Sequence, residues 1–147
     1  MSSFTIRVYG ICIENENVLV SDEFIYEKYI TKFPGGGLQF GEGTIDCLMR
    51  EMVEETGQEV EVMDHFYTTD FFVPSAFDPT KQVMSIYYFI RFKSPVKFRL
   101  GNKPFDFTIL EDCAQSFRWI KISELKAVEF ILPIDKRVAL MLLEKFS

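Results

Sequence analysis

The sequence predicts an α/β fold in which a mixed β-sheet is covered by helices on both faces. Three observations carry this: β-branched and aromatic runs recur along the chain, amphipathic helices lie in its middle and at its end, and strands and helices intermix without strict alternation. No repeat, low-complexity tract or Pro/Gly/Ser linker interrupts the 147 residues, so one domain over residues 1–147 is expected.

Taken in order, Phe4 to Ile13 alternates as a strand, Glu14-Asn15-Glu16-Asn17 supplies turn chemistry, and Val18-Leu19-Val20 reads as the hairpin partner. A short strand or extended stretch follows around Phe24 to Phe33. Thr44 to Thr56 is the strongest helix, with apolar Ile45, Leu48, Met49, Met52 and Val53 at helical spacing, carboxylates on another face, Thr44 or Gly43 capping the start and Gly57 at the stop. Glu59 to Phe66 and the aromatic run Met84 to Phe92 read as strands of one sheet. Ser116 to Ile120 is a further strand, Ser123-Glu124-Leu125 begins a helical turn, and Ile134 to Phe146, apolar at Val138, Leu142 and Phe146, is the closing helix.

Composition narrows the function. The formal charge is −6, and 48% of the residues are hydrophobic, with 16 Phe and 6 Tyr, so the chain has bulk for a core and is not disordered. An acidic chain lacks the basic face that displaces counterions from duplex nucleic acid, so no duplex partner is expected. Cys12, Cys47 and Cys113 form no Cys-x-x-Cys pair and read as buried small hydrophobes in a reducing compartment; the single histidine, His65, is expected to be structural. With no basic-then-apolar leader and no apolar run of membrane-spanning length, a cytoplasmic protein with no membrane partner is expected.

The chemistry concentrates after Gly35, in Gly-Gly-Gly-Leu-Gln-Phe-Gly-Glu-Gly-Thr-Ile-Asp-Cys-Leu-Met-Arg-Glu-Met-Val-Glu-Glu-Thr-Gly-Gln. Glu51, Glu54 and Glu55 stand at i, i+3 and i+4 of the helix and converge on one stripe, where like charges repel by roughly 0.2–0.5 kcal/mol a pair. Hard divalent cations would turn that repulsion into binding, since carboxylate oxygens suit Mg²⁺ or Mn²⁺; the alternative is a solvated acidic face. Arg50, the only base of the helix, either orients a ligand carboxylate by a bidentate bond or makes a surface salt bridge. Glu42 either joins a metal cluster through water or complements the helix N-terminus. The glycines at 35–37 let a carbonyl or amide approach a metal or phosphate closely.

Together these residues resemble the signature of the Nudix hydrolases (MutT-like), Gly-x5-Glu-x7-Arg-Glu-U-x-Glu-Glu-x-Gly-U with U aliphatic, filled here by Gly36, Glu42, Arg50, Glu51, Met52, Glu54, Glu55 and Gly57. Gln58 stands where the last aliphatic residue is usual and Met52 is unbranched, both at packing positions. The resemblance implies a Nudix-type α/β/α sandwich and Mg²⁺- or Mn²⁺-assisted hydrolysis of the pyrophosphate linkage of a nucleoside diphosphate derivative, water attacking phosphorus. It implies Glu54 and Glu55 as metal ligands, Glu51 as ligand or general base, the carbonyl of Gly35 or Gly36 completing the shell, and Arg50 as the orienting residue. Family members often recruit a further acid from outside the signature, for which Glu111 and Asp112 are the candidates, loop solubility being the alternative.

The aromatic stretch Phe66 to Pro74 is read as core or interface packing with base stacking as the alternative, and the basic run Arg91, Lys93, Lys97, Arg99 and Lys103 as a solvated segment or a contact for a distal phosphate. Neither selects a substrate. A catalytically silent nucleotide-metabolite sensor on the same fold is the competing reading, and the aromatic content makes a homodimer an expectation.

Overall fold

The computed structural model describes residues 2–146; Met1 and Ser147 lie outside them. The chain divides into two compact units, Met1–Cys12 with Pro34–Val96 and Ile13–Phe33 with Lys97–Ser147.

The first unit is a mixed sheet with one helix. Strand β1 (Ser3–Glu14) runs parallel to β6 (Lys81–Phe92) from Ser3↔Lys81 to Cys12↔Ile90. A parallel pair needs a long crossover, and within this unit it contains β4 (Gly35–Gly37), helix α1 (Thr44–Thr56) and β5 (Val60–Thr68). β4 pairs antiparallel with β1 and β5 antiparallel with β6, the latter with register shifts between Val62 and His65 and between His65 and Tyr67. Helix α1 has the boundaries the sequence predicts: Gly43 is its N-cap without a side-chain bond, and Gly57, at φ 74°, closes it with its N–H on the Val53 carbonyl.

The face that α1 buries differs from the expected one. Leu48 and Met52 are buried as read, joined by Cys47 and Thr56, but Ile45, Met49 and Val53 are 47%, 36% and 45% exposed. At 100° per residue, Glu51 and Glu55 fall between Cys47 and Leu48, on the inward side. They fit there because one of the two strands α1 packs against, β4, consists of glycines and leaves space for carboxylates.

The second unit is an antiparallel sheet with β2 (Asn17–Ile25) between β3 (Lys28–Lys32) and β7 (Ala114–Lys121). The last residues of β1 pair with β2 across the expected turn, whose Asn15 and Glu16 both take positive φ (49° and 68°) as a two-residue hairpin requires. Tyr26 and Glu27 make the same turn between β2 and β3 at φ 49° and 61°; neither residue type signals a turn, which is why the stretch from Phe24 to Phe33 reads as a single extended segment. The expected helical turn appears as a 3-10 turn at Ile122–Glu124, and α2 (Pro133–Phe146) buries Ile134, Val138, Ala139 and Leu142. Beside this core lies a buried ionic cluster. Asp22 accepts Thr31 Oγ1 at 2.7 Å, Arg118 Nε at 2.6 Å and the Phe105 N–H at 3.1 Å.

Of the cysteines, Cys12 and Cys47 are buried as expected; Cys113 is exposed on a loop residue of φ 67°, a correction that follows from its place at a tight turn before β7. His65 is exposed on β5, sharing a 2.7 Å hydrogen bond with Thr68 Oγ1 and meeting the Tyr88 ring edge-on. Among the described residues no helix is long and apolar enough to cross a membrane.

Candidate active site

The site begins with three glycines whose missing side chains are each occupied by something else. Gly35, at φ 146°, packs its α-carbon against the Val8 carbonyl and Tyr9, where a Cβ has no room. A Cβ on Gly36 would lie inside the Glu51 carboxylate, and one on Gly37 would meet Arg7 Nη1 at 3.3 Å. The bonds Gly10 N–H to Pro34 O and Leu38 N–H to Ile6 O, with Val8 opposite Gly36, place the even positions in the ladder. The backbone groups of Gly35 and Gly37 therefore turn away from β1. They reach α1: the Gly35 N–H donates to Glu55 Oε2 at 3.2 Å and the Gly37 carbonyl accepts Arg50 Nη2 at 3.1 Å. Of the two carbonyls expected in a metal shell, that of Gly35 has the outward direction, while that of Gly36 turns toward β1.

Arg50 is the hub. Its Nε and Nη2 hold Glu42 in a bidentate fork at 3.0 and 2.7 Å, and its Nη1 serves Glu51 at 3.1 Å and Glu54 at 3.2 Å. The bidentate partner is thus Glu42 and not one of the helix carboxylates. Glu42 also accepts the Gln39 N–H at 2.9 Å, closing the loop that leads into α1. The Arg50 guanidinium, followed by the Gln39 amide, holds the Glu42 carboxyl at about 2, far below the usual carboxylate range. Those bonds push the Arg50 proton affinity further up, so both groups stay charged at any working pH. Beside the two roles open to Glu42, the structure shows a further contact, the fork that holds Arg50. Cys47 donates to the Gly37 carbonyl at 3.5 Å, and burial, then the Glu42 charge, pushes its thiol up to about 11.

The carboxylates of Glu51, Glu54 and Glu55 and the backbone oxygens of β4 are all oxygen donors, the chemistry a hard divalent ion takes. The absent Cβ of Gly36 is the space in which the Glu51 carboxylate sits against the strand. In the arrangement described, Glu51 and Glu54 point to Arg50 and Glu55 to the Gly35 amide. Among the described residues, no three His, Cys, Asp or Glu side chains converge as a ready-made metal group.

Glu111 and Asp112 belong to the second unit and are exposed; Asp112 accepts the Tyr26 N–H at 3.1 Å and so caps the β2–β3 turn. The basic run disperses: Arg91 pairs with Glu61 at 2.6 Å and Arg99 with Asp106 at 3.5 Å. In the aromatic stretch, Phe66 packs edge-on to Phe89, and Tyr67 and Val73 are buried, which is core packing. Gln58, the residue out of pattern, donates to Ser94 Oγ at 3.1 Å and the Pro95 carbonyl at 3.0 Å, tying down the segment after β6. Met52 is fully buried, as its packing position requires. Met49, Arg50, Val53, Glu54, Glu59 and Val60 line an open groove of about 350 Å³. Sequence reasoning gave Cys47 no place in the site, and it read the glycines at 35–37 as close-approach positions without singling out the Gly37 carbonyl as the acceptor for Arg50 and Cys47.

A family model described as NUDIX domain matches residues 4–141. The solution structure of the E. coli ORF135 protein superposes with a TM-score of 0.71 at 17% identity, covering 98% of this chain and 92% of that one. A MutT NUDIX hydrolase from Burkholderia pseudomallei gives 0.70 at 16% identity over 100% of both chains. An ADP-ribose pyrophosphatase from Streptococcus suis gives 0.64 at 16%, over 97% and 92%. At these identities the likeness shows the fold, and it bears out the α/β class with a mixed sheet and helices. No curated protein matches the sequence.

Proposed function

This chain belongs to the NUDIX domain family, and from that premise we propose that it is an enzyme, a Mg²⁺- or Mn²⁺-dependent pyrophosphohydrolase. Its substrate is a nucleoside diphosphate linked to another moiety, such as a nucleoside triphosphate or a sugar nucleotide. The observation that carries the proposal is the packing of the Glu51 and Glu55 carboxylates of α1 against a side-chain-free glycine strand, with Arg50 clamped beside them by Glu42.

Glu54 and Glu55, with Glu51 and the backbone oxygen of Gly35 or Gly36, are the residues that would hold the ion. Bound there, a divalent cation supplies neutralisation of phosphate oxygens and acidification of the attacking water. The protein contributes position: the Glu42 fork sets the plane of Arg50, whose remaining donors orient Glu51 and Glu54. Glu51 is a ligand or the general base, and Glu111 is the alternative base from outside the signature. The name of the Streptococcus suis neighbour, an ADP-ribose pyrophosphatase, supports the choice of diphosphate chemistry.

We further propose that both units form one domain, because a single family model runs through them. The exposed Phe4 and Phe40 support a homodimer, which light scattering tests, and the wide spacing of Cys12, Cys47 and Cys113, with no Cys-x-x-Cys pair, supports a reducing, cytoplasmic setting. The test of function is a hydrolysis screen of nucleoside diphosphate derivatives with Mg²⁺ and Mn²⁺, identifying both products. Glu54→Gln is expected to lower kcat by more than about a hundredfold while the protein stays folded. Full activity in that variant sinks the proposal; ligand binding without turnover across the panel favours the silent sensor.

A further inference from the structure

The glycine strand has a carboxylate against one residue and a guanidinium against the next. The missing Cβ of Gly36 makes room for Glu51, and that of Gly37 for Arg7, whose Nη1 would stand 3.3 Å from a Cβ there. Adjacent residues of a strand face opposite sides of the sheet, so Arg7 approaches β4 from the side opposite Glu51. Arg7 is opposite Gly37 in the β1–β4 register and is half-buried. Its orientation is set by Tyr9: Nε donates to the tyrosine hydroxyl at 2.9 Å, and the guanidinium carbon lies 5.7 Å from the ring centroid. Tyr9 is itself buried against the Tyr87 ring at 5.3 Å. A guanidinium held this way loses little freedom when it binds, because its planar fork is already oriented.

Charge gives that cation a task. Glu42, Glu51, Glu54 and Glu55 set four carboxylates against the single guanidinium of Arg50, and on the pyrophosphohydrolase reading a diphosphate would bring further negative charge to the same strand. We propose that Arg7 is a substrate-binding residue whose guanidinium takes an anionic oxygen of the substrate's diphosphate at the glycine strand. The inference rests on the pyrophosphohydrolase reading and names a residue outside the signature that reads the substrate.

The test titrates ADP with MgCl₂ into the wild-type chain, Arg7→Ala and Arg7→Lys by calorimetry, alongside kinetics on whichever substrate the screen identifies. Arg7→Ala is expected to weaken binding by about tenfold or more, the loss of hydrogen bonds to a charged group. KM should rise in proportion while kcat stays within about threefold, the signature of lost uniform binding. Arg7→Lys keeps the charge but not the fork and should bind several-fold more weakly than wild type, with a melting temperature close to it. Binding and KM of Arg7→Ala within twofold of wild type overturn the inference, as does the absence of saturable binding to the wild type. Should Arg7→Ala not fold, Arg7→Lys decides, and wild-type affinity there overturns it. Arg7-dependent binding without hydrolysis supports the inference while overturning the enzyme reading.

Discussion

Replacing Gly36 by alanine separates stability from chemistry. The new Cβ would stand 2.5 Å from Glu51 Oε1, about 1 Å inside ordinary contact. What it meets is the far end of a flexible side chain, so the carboxylate moves and the backbone stays. Two stability terms then nearly cancel: alanine restricts the unfolded chain, a gain of about 0.4–1 kcal/mol where its backbone conformation is allowed, while a partly exposed Arg50–Glu51 pair is lost at about 0–1 kcal/mol. The melting temperature should therefore change by no more than about 4 °C. Displacing a metal-binding or basic carboxylate by about 1 Å costs on the order of a hundredfold in rate, so kcat should fall by about that factor. Gly35→Ala is the contrast: its Cβ would run into the Val8 carbonyl and the Tyr9 backbone at φ 146°, which no rotamer relieves, so that variant should be unstable. Thermal melts and steady-state kinetics with Mg²⁺ read both quantities. A Gly36→Ala protein with wild-type kcat, or one that loses activity only in proportion to unfolding, refutes the reasoning.

Two further perturbations follow from the ionic contacts. The Glu42 carboxyl is held at about 2 against an ordinary 4.5, so its folded pKa is depressed, and the stability it contributes is present above about pH 4.5 and lost as pH falls toward 2. Acid denaturation of Glu42→Gln should accordingly be flatter than wild type across that interval, and identical profiles would refute the clamp. In the second unit, Arg118→Met leaves Asp22, only 1% exposed, without its guanidinium partner. Removing one member of a buried pair costs about 3–5 kcal/mol, and urea unfolding that moves by less than about 1 kcal/mol would show that the other donors to Asp22 suffice.

Much of the fold was legible because each element carries its own local signal. Helix α1 begins and ends where Gly43 and Gly57 say it should, and the Asn15–Glu16 hairpin announces itself in turn-prone residues. The Tyr26–Glu27 hairpin did not, because its positive φ values are imposed by strand pairing and not by residue preference. The orientation of α1 was also misjudged. Periodicity marks Ile45, Met49 and Val53 as core, yet they are half-exposed while Glu51 and Glu55 turn inward, since an all-glycine neighbour reverses the usual preference for apolar contacts.

The sequence by itself determined the α/β class and picked out the residues from Gly36 to Gly57 that fill the family signature. Spacing along a helix is a local property, and it placed the carboxylates on one stripe without reference to anything else. Only the tertiary structure decided what those carboxylates touch. That Glu42 clamps Arg50, that Gly36 makes room for Glu51 and that Gly37 makes room for Arg7 depend on residues 8, 15 and 30 positions apart in the chain. Such contacts are set by strand register and packing, which no local pattern encodes.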